Sequence, residues 1–188
     1  MPDPVLLSGG GLQIRFQFVD DRFAHKIAAV DGERIVPLAA SCEGTPQEEW
    51  PASPALQEIN TQSPGERPMA MLMGQTVQGY WSVTVELDPQ TGQAVFDVAC
   101  RVKSAPRLTS GYRTVVAPTT RPTGSLELSL GEISVEIETL PTPVVAGLPD
   151  LEAAELTVDG EGWRISPRNL PHEYPETVRW RYAVRRLK

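Results

Sequence analysis

Apolar and polar residues alternate along most of this chain, and this period of two constrains its fold more than any other feature. The clearest case begins at Leu12, where apolar residues occupy positions 12, 14, 16 and 18 and polar residues occupy 13, 15 and 17. Successive side chains of a β-strand point to opposite faces of a sheet, so the pattern indicates strands with one buried face. Similar alternation predicts strands at 23–29, 33–38, 69–73, 80–87, 94–102, 107–116, 126–130, 133–137 and 178–184.

Turn signals separate several of these segments at the spacing of β-hairpins. Asp31-Gly32 and the run at 88–92, which contains Asp, Pro and Gly, are typical of tight turns between antiparallel strands. At Gly131 the apolar positions change from even to odd numbers, which either a tight hairpin or a bulge would explain. Pro37 predicts an edge strand or a bulge, because proline cannot donate a hydrogen bond to a neighbouring strand.

These elements predict an all-β fold, an antiparallel barrel or sandwich of about nine to eleven strands with at most one short helix. The helix candidate lies at 151–156. The 188 residues fit a single domain, 1–188. A proline-rich stretch at 44–68 predicts a long surface loop, with a short strand at 55–60. The first and last strands are both amphipathic, and their pairing would close a barrel.

The charge and the few cysteines exclude several classes of protein. The net charge is −7, whereas a nucleic-acid binder needs a cationic surface, so we predict no nucleic-acid partner. The start lacks a basic leader and no run reaches about 20 apolar residues, which favours a cytoplasmic protein without a membrane partner. Cys42, Cys100, His25 and His172 are too few for a disulfide framework or a zinc site, so we expect buried free thiols, no metal and no cofactor.

No catalytic motif stands in the sequence: it has no G-x-S-x-G, no phosphate-binding loop with its lysine, no H-E-x-x-H and no EF-hand loop. We therefore predict no catalytic residue. Glu136 and Glu138 share a strand face, and we interpret them as a solvated face with basic partners on neighbouring strands. His25 is either a general base or ligand contact, or a core residue satisfied by one hydrogen bond, and the second interpretation is favoured.

Arginine side chains form the best candidate site. Arg179 and Arg181 share one face of the last predicted strand, and Arg101 shares its face with Lys103 on another. If these two faces are neighbours, they form a cationic patch suited to an anionic ligand. In the alternative, Glu86, Glu136 and Glu138 neutralise the patch. The predicted ligand-binding residues are Arg101, Arg113, Arg179, Arg181 and His25.

The first functional hypothesis is a non-enzymatic binding or interaction module, whose partner is an unknown small ligand or protein. In architecture the strand pattern resembles calycin-type barrels, which implies a small apolar or anionic ligand held inside. The G-x-W motif that lipocalins carry at their first strand is absent there, and Gly162-Trp163 lies late in the chain. The weakest alternative is a hydrolase that uses Glu or His. A perturbed carboxylate or His in a cleft would favour it, and an enclosed pocket would favour the barrel.

Overall fold

The alternating segments form β-strands in the computed structural model, which describes residues 2–63, 66–142, 154–160 and 162–187. These residues contain fifteen strands and no α-helix. In chain order the strands are β1 (Val5–Gly9), β2 (Leu12–Val19), β3 (Arg22–Asp31), β4 (Arg34–Ser41), β5 (Glu58–Gln62), β6 (Met69–Gln75), β7 (Gly79–Asp88), β8 (Gln93–Val102), β9 (Ser110–Thr114), β10 (Thr119–Thr120), β11 (Leu126–Leu130), β12 (Ile133–Leu140), β13 (Glu155–Asp159), β14 (Gly162–Ser166) and β15 (Glu176–Leu187).

The strands belong to two antiparallel sheets. Sheet I has the order β1-β2-β3-β4-β9-β14-β13, and sheet II has the order β10-β11-β12-β15-β8-β7-β6-β5. The two sheets are packed as a sandwich, and the all-β prediction is confirmed. The apolar face of each sheet is turned inward, which is why the alternation in the sequence marks the strands so clearly.

Aromatic rings fill the space between the sheets. Tyr112 and Trp163 from sheet I stack with ring centroids 4.6 Å apart, and Phe96 and Tyr182 from sheet II stack at 4.8 Å. All four side chains are buried. A calycin-like barrel with a ligand inside is therefore the wrong architecture for this chain, because the sheets remain separate and large side chains occupy the interior.

The predicted turns are found where the sequence places them. β3 and β4 are joined at Gly32, whose φ is +58°, and β11 and β12 are joined by a tight hairpin at Gly131, whose φ is +63°. Gly131 thus marks a hairpin and not a bulged strand. Pro37 does lie at a bulge, because the β3–β4 register shifts between Ile27 and Ala28.

Three details of the predicted topology are wrong. The strand count is higher than nine to eleven, because short strands such as β1, β10 and β13 offer too few residues for a visible alternation. The first and last strands do not pair, since β1 is an edge of sheet I and β15 lies between β12 and β8 in sheet II. The helix candidate lies outside the described residues at 151–153, and from Glu155 onward the chain is the strand β13.

The connection from β4 to β5 is not a surface loop over its whole length. Its middle, including Pro51 and residues 53–56, is buried. Gly111 N–H donates to the Ala52 carbonyl at 2.8 Å, and Phe23 N–H donates to the Leu56 carbonyl at 2.7 Å. Strands of sheet I therefore bind the backbone of this segment, and the prolines fit because they have no N–H of their own to satisfy.

Within the described part of the chain, no helix has the length and the apolar character that crossing a membrane would require.

Candidate functional site

Arg179 and Arg181 lie on the outer face of sheet II, where both guanidinium groups contact Asp97. Arg179 donates from Nε to Oδ1 at 2.7 Å and from Nη2 to Oδ2 at 2.5 Å, a two-pronged contact. The Nε atom of Arg181 lies 3.2 Å from the same Oδ2. These contacts follow from register, because Arg181 is the direct partner of Asp97 in the β15–β8 pair. One carboxylate thus serves two guanidinium groups.

The two arginine-bearing faces that the sequence left separate are adjacent. β15 pairs with β8, and Arg101 is opposite Thr177, one step along the outer face from Arg179. Arg101 is exposed, and the Nζ atom of Lys103 lies 4.3 Å from the centroid of the Tyr80 ring. Arg101, Arg179 and Arg181 therefore share one surface, which we call the arginine face.

A depression of about 510 Å³ crosses the arginine face. Small side chains leave this space open, because Ser82, Thr84, Ala99 and Thr177 stand around Asp97 where longer side chains would fill it. A smaller hollow of about 270 Å³ adjoins it and shares Arg181. The exposed side chains of Met71, Met73 and Tyr80 lie on neighbouring strands of the same sheet.

The glutamates proposed as neutralising partners pair with other arginines. Glu136 is only 6% exposed and contacts Arg185 and Arg121. A hydrogen bond from Ser125 and the contact with Arg185 lower the pKa of Glu136. Glu86 pairs with Arg67 at 3.1 Å. Neither carboxylate is paired with Arg179, so Asp97 carries the acidic charge at the centre of the arginine face.

His25 lies in the core between the sheets and not with the arginines. Its imidazole is 7% exposed, and its Nε2 atom lies 2.7 Å from the Tyr112 hydroxyl. The Tyr112 hydroxyl lies 2.5 Å from the Tyr182 hydroxyl. Burial lowers the pKa of His25 to about 4, so its ring is neutral at pH 7. The arrangement is that of a core histidine with one hydrogen-bond partner.

Arg113 lies in sheet I, apart from the arginine face, and lines a cleft of about 500 Å³. One wall of the cleft is the start of the β4–β5 connection, and the other wall is formed by β9 and β14. We call it the Glu43 cleft. Its side chains include Glu43 and Glu48 on the first wall and Arg113, Trp163 and Arg164 on the second.

Glu43 is the most perturbed carboxylic acid of the cleft. Burial raises the pKa of Glu43 to about 7, and a hydrogen bond from Ser41 opposes only part of this shift. The Ser41 hydroxyl lies 2.5 Å from Oε1 of Glu43, while Oε2 is buried without a hydrogen-bond partner. A carboxyl group that titrates near neutral pH in a cleft is an established sign of a functional site.

Comparison with known proteins gives no family model that matches this chain and no curated protein with a significant sequence match. Within the described residues, no group of three or more His, Cys, Asp or Glu side chains is placed to hold a metal ion. The fold defines the chain as an antiparallel β-sandwich with an uncovered charged face on one sheet and a mixed-charge cleft beside the other.

Sequence reasoning missed Asp97, Glu43 and Trp163 as site residues. Asp97 shows only as a polar position of an alternating strand, and its role depends on which strand lies next to it. Glu43 did carry a signal, since Cys42-Glu43 follows directly after a strand and precedes a long proline-rich connection. Connections of that length often carry function in compact domains.

Proposed function

We propose that this protein is a non-enzymatic binding module, which recognises an anionic group on the arginine face of sheet II. The observation that carries the proposal is the sharing of Asp97 by Arg179 and Arg181. Two guanidinium groups opposite one carboxylate leave an excess of positive charge, and guanidinium donors match the geometry of carboxylate and phosphate.

Two further observations support a binding role. The Asp97 contacts hold the Arg179 and Arg181 side chains, which reduces the conformational entropy that a ligand would have to overcome. The chain as a whole has a net charge of −7, so a local excess of arginine is set against an acidic surface. Such contrast guides an anionic partner to one place on the surface.

The experiment is a calorimetric titration of the protein with inorganic phosphate and with citrate at low salt. We expect both anions to bind, and the double variant Arg179→Gln/Arg181→Gln to bind about tenfold more weakly. The matched control is Arg15→Gln/Arg34→Gln, which removes two exposed arginines from sheet I and leaves the affinity unchanged. Equal affinity in the two double variants contradicts the proposal.

A second candidate function is hydrolysis, and the observation that favours it is the carboxyl group of Glu43. With a pKa of about 7, Glu43 could give or take a proton at neutral pH, as a general acid or base does. The test is a panel of chromogenic carboxylate, phosphate and glycoside esters between pH 5 and 8. Turnover that Glu43→Gln abolishes and Glu33→Gln retains supports hydrolysis, whereas no turnover by the native protein rejects it for these substrates.

The cytoplasmic location that the sequence favours stays a prediction.

A further inference from the structure

The Glu43 cleft has acidic groups on one wall and basic groups on the other. Glu43 and Glu48 come from the connection that follows β4, whereas Arg113 and Arg164 project from β9 and β14. Arg164 already pairs with Asp159, at 2.5 Å. Within the described residues Arg113 makes no ion pair, so its guanidinium is free for a ligand's anionic group.

Two buried polar atoms of the cleft residues have no hydrogen-bond partner. One is the acceptor Oε2 of Glu43, and the other is the donor Nε1 of Trp163, a side chain that is only 1% exposed. Buried polar groups in folded proteins are nearly always hydrogen-bonded, and each exception calls for a cause. An unpaired acceptor and an unpaired donor in one cleft are what a ligand with both kinds of group would satisfy.

The surrounding contacts explain why the protein itself does not pair these atoms. Oε1 of Glu43 is engaged by the Ser41 hydroxyl, and the Glu48 carboxylate accepts from the backbone N–H of Thr45 at 3.2 Å. The Trp163 ring is fixed by its stack on Tyr112. Neither Glu43 nor Trp163 can therefore turn toward another partner without giving up a contact that it already has.

We propose that the Glu43 cleft binds a small zwitterion of the amino-acid class, with its ammonium group toward Glu43 and Glu48 and its carboxylate toward Arg113 and the Trp163 indole N–H. A ligand with one charge would satisfy only one wall. The cleft volume of about 500 Å³ leaves room for an amino acid with an aliphatic side chain. This site is separate from the arginine face, and neither proposal depends on the other.

The test uses L-leucine and two analogues that each lack one of its charges, isopentylamine and 4-methylpentanoate. Binding is followed by the indole N–H signals of the four tryptophans in nitrogen-15 NMR spectra, with the Trp163 signal assigned from Trp163→Phe. We expect L-leucine to shift the Trp163 signal with a dissociation constant below about 10 mM, and each analogue to bind at least about tenfold more weakly.

Variants of the two walls make the assignment of ligand groups specific. Glu43→Gln and Arg113→Gln should each weaken L-leucine binding by about tenfold, and Arg113→Gln should leave the weak binding of isopentylamine unchanged. Arg113 is exposed, so this variant remains informative if Glu43→Gln fails to fold. Glu33→Gln and Arg34→Gln, at the opposite end of β4 from the cleft, are the controls and keep native binding.

Three results would overturn the proposal. The first is the absence of any shift of the Trp163 signal at L-leucine concentrations up to about 50 mM, well above the range of a specific site. The second is equal affinity for L-leucine and its single-charge analogues. The third is unchanged L-leucine affinity in Arg113→Gln.

Discussion

The hydroxyl groups of Tyr112 and Tyr182 lie 2.5 Å apart in the middle of the sandwich and join its two sheets. Tyr112 stands on β9 of sheet I, and Tyr182 stands on β15 of sheet II. The Tyr112 hydroxyl also contacts His25 Nε2, so three buried polar groups form one chain across the core. Burial raises the pKa of both tyrosines, which keeps their hydroxyls protonated and able to donate.

Removing the two hydroxyls one at a time should have unequal effects on stability. Tyr112→Phe leaves His25 Nε2 without a partner in the core, so we expect a loss of about 2–3 kcal/mol in the free energy of unfolding. Tyr182→Phe leaves the His25–Tyr112 bond intact and should cost about 1 kcal/mol. Urea denaturation of both variants measures the difference, and equal losses would show that the chain does not act as described.

Stability should fall as the pH falls from 6.5 to 4 because of His25. Burial lowers the pKa of His25 from 6.5 to about 4, so over this range the unfolded chain takes up a proton that the folded chain does not. The unfolded state is thereby favoured, by about 3 kcal/mol once the pH is below both values. Above pH 6.5 the imidazole is neutral in both states and contributes nothing to the pH dependence.

The measurement is the free energy of unfolding against pH for the native protein and for His25→Gln. The variant removes the titrating group, so its curve should be flatter between pH 6.5 and 4, although its stability at pH 7 is lower. Other acids, including Glu136, also titrate at low pH and affect both curves equally. Parallel curves for the two proteins would rule out His25 as the source of the acid sensitivity.

Gly162 is required where β14 meets β9. A Cβ atom added at Gly162 would lie 1.9 Å from the carbonyl oxygen of Tyr112, which is backbone and cannot move aside. We expect Gly162→Ala to lower the stability by at least about 2 kcal/mol. Gly131→Ala is the comparison, because nothing lies within 4 Å there and only its φ of +63° carries a cost, of about 1–2 kcal/mol. Thermal melting of both variants decides the order.

Removing the Asp97 charge should strengthen anion binding on the arginine face. Asp97→Asn leaves Arg179 and Arg181 without a carboxylate, so phosphate affinity should rise by about fivefold at low salt. The stability loss should stay near or below about 1 kcal/mol, because these ion pairs are partly exposed to water. Calorimetry with phosphate measures the gain, with Glu33→Gln as the control for net charge. A lower affinity in Asp97→Asn would mean that Asp97 serves the site by positioning the arginines.

The positions of many strands could be read from the sequence because alternation is a local property. Whether a strand buries its even or its odd positions depends only on neighbouring residues, as at Leu12 and the hairpin at Gly131. Short strands escaped this reasoning, since five residues at β1 contain too few alternations to separate a strand from a loop. The buried middle of the β4–β5 connection also escaped it, because its prolines are typical of loops and its partners lie far away in sequence.

The candidate sites were only partly predictable. Arg179 and Arg181 were expected to share a face, and they do, since they stand two residues apart on one strand. Asp97 could not be assigned to them, because that contact depends on the pairing of β15 with β8 across about eighty residues of chain. Glu43 was visible only as an acidic residue near a loop, and its perturbed pKa arises from burial that no local pattern encodes.

The amino-acid sequence alone determined that this chain forms strands, which face of each strand is apolar, and that its net charge is acidic. The tertiary structure decided that the strands form two sheets and not a barrel, that the arginine-bearing strands are neighbours, and that Glu43 and Trp163 meet in one cleft. The division has one physical cause. Alternation acts between adjacent residues, whereas sheet order and burial depend on contacts between segments that only folding brings together.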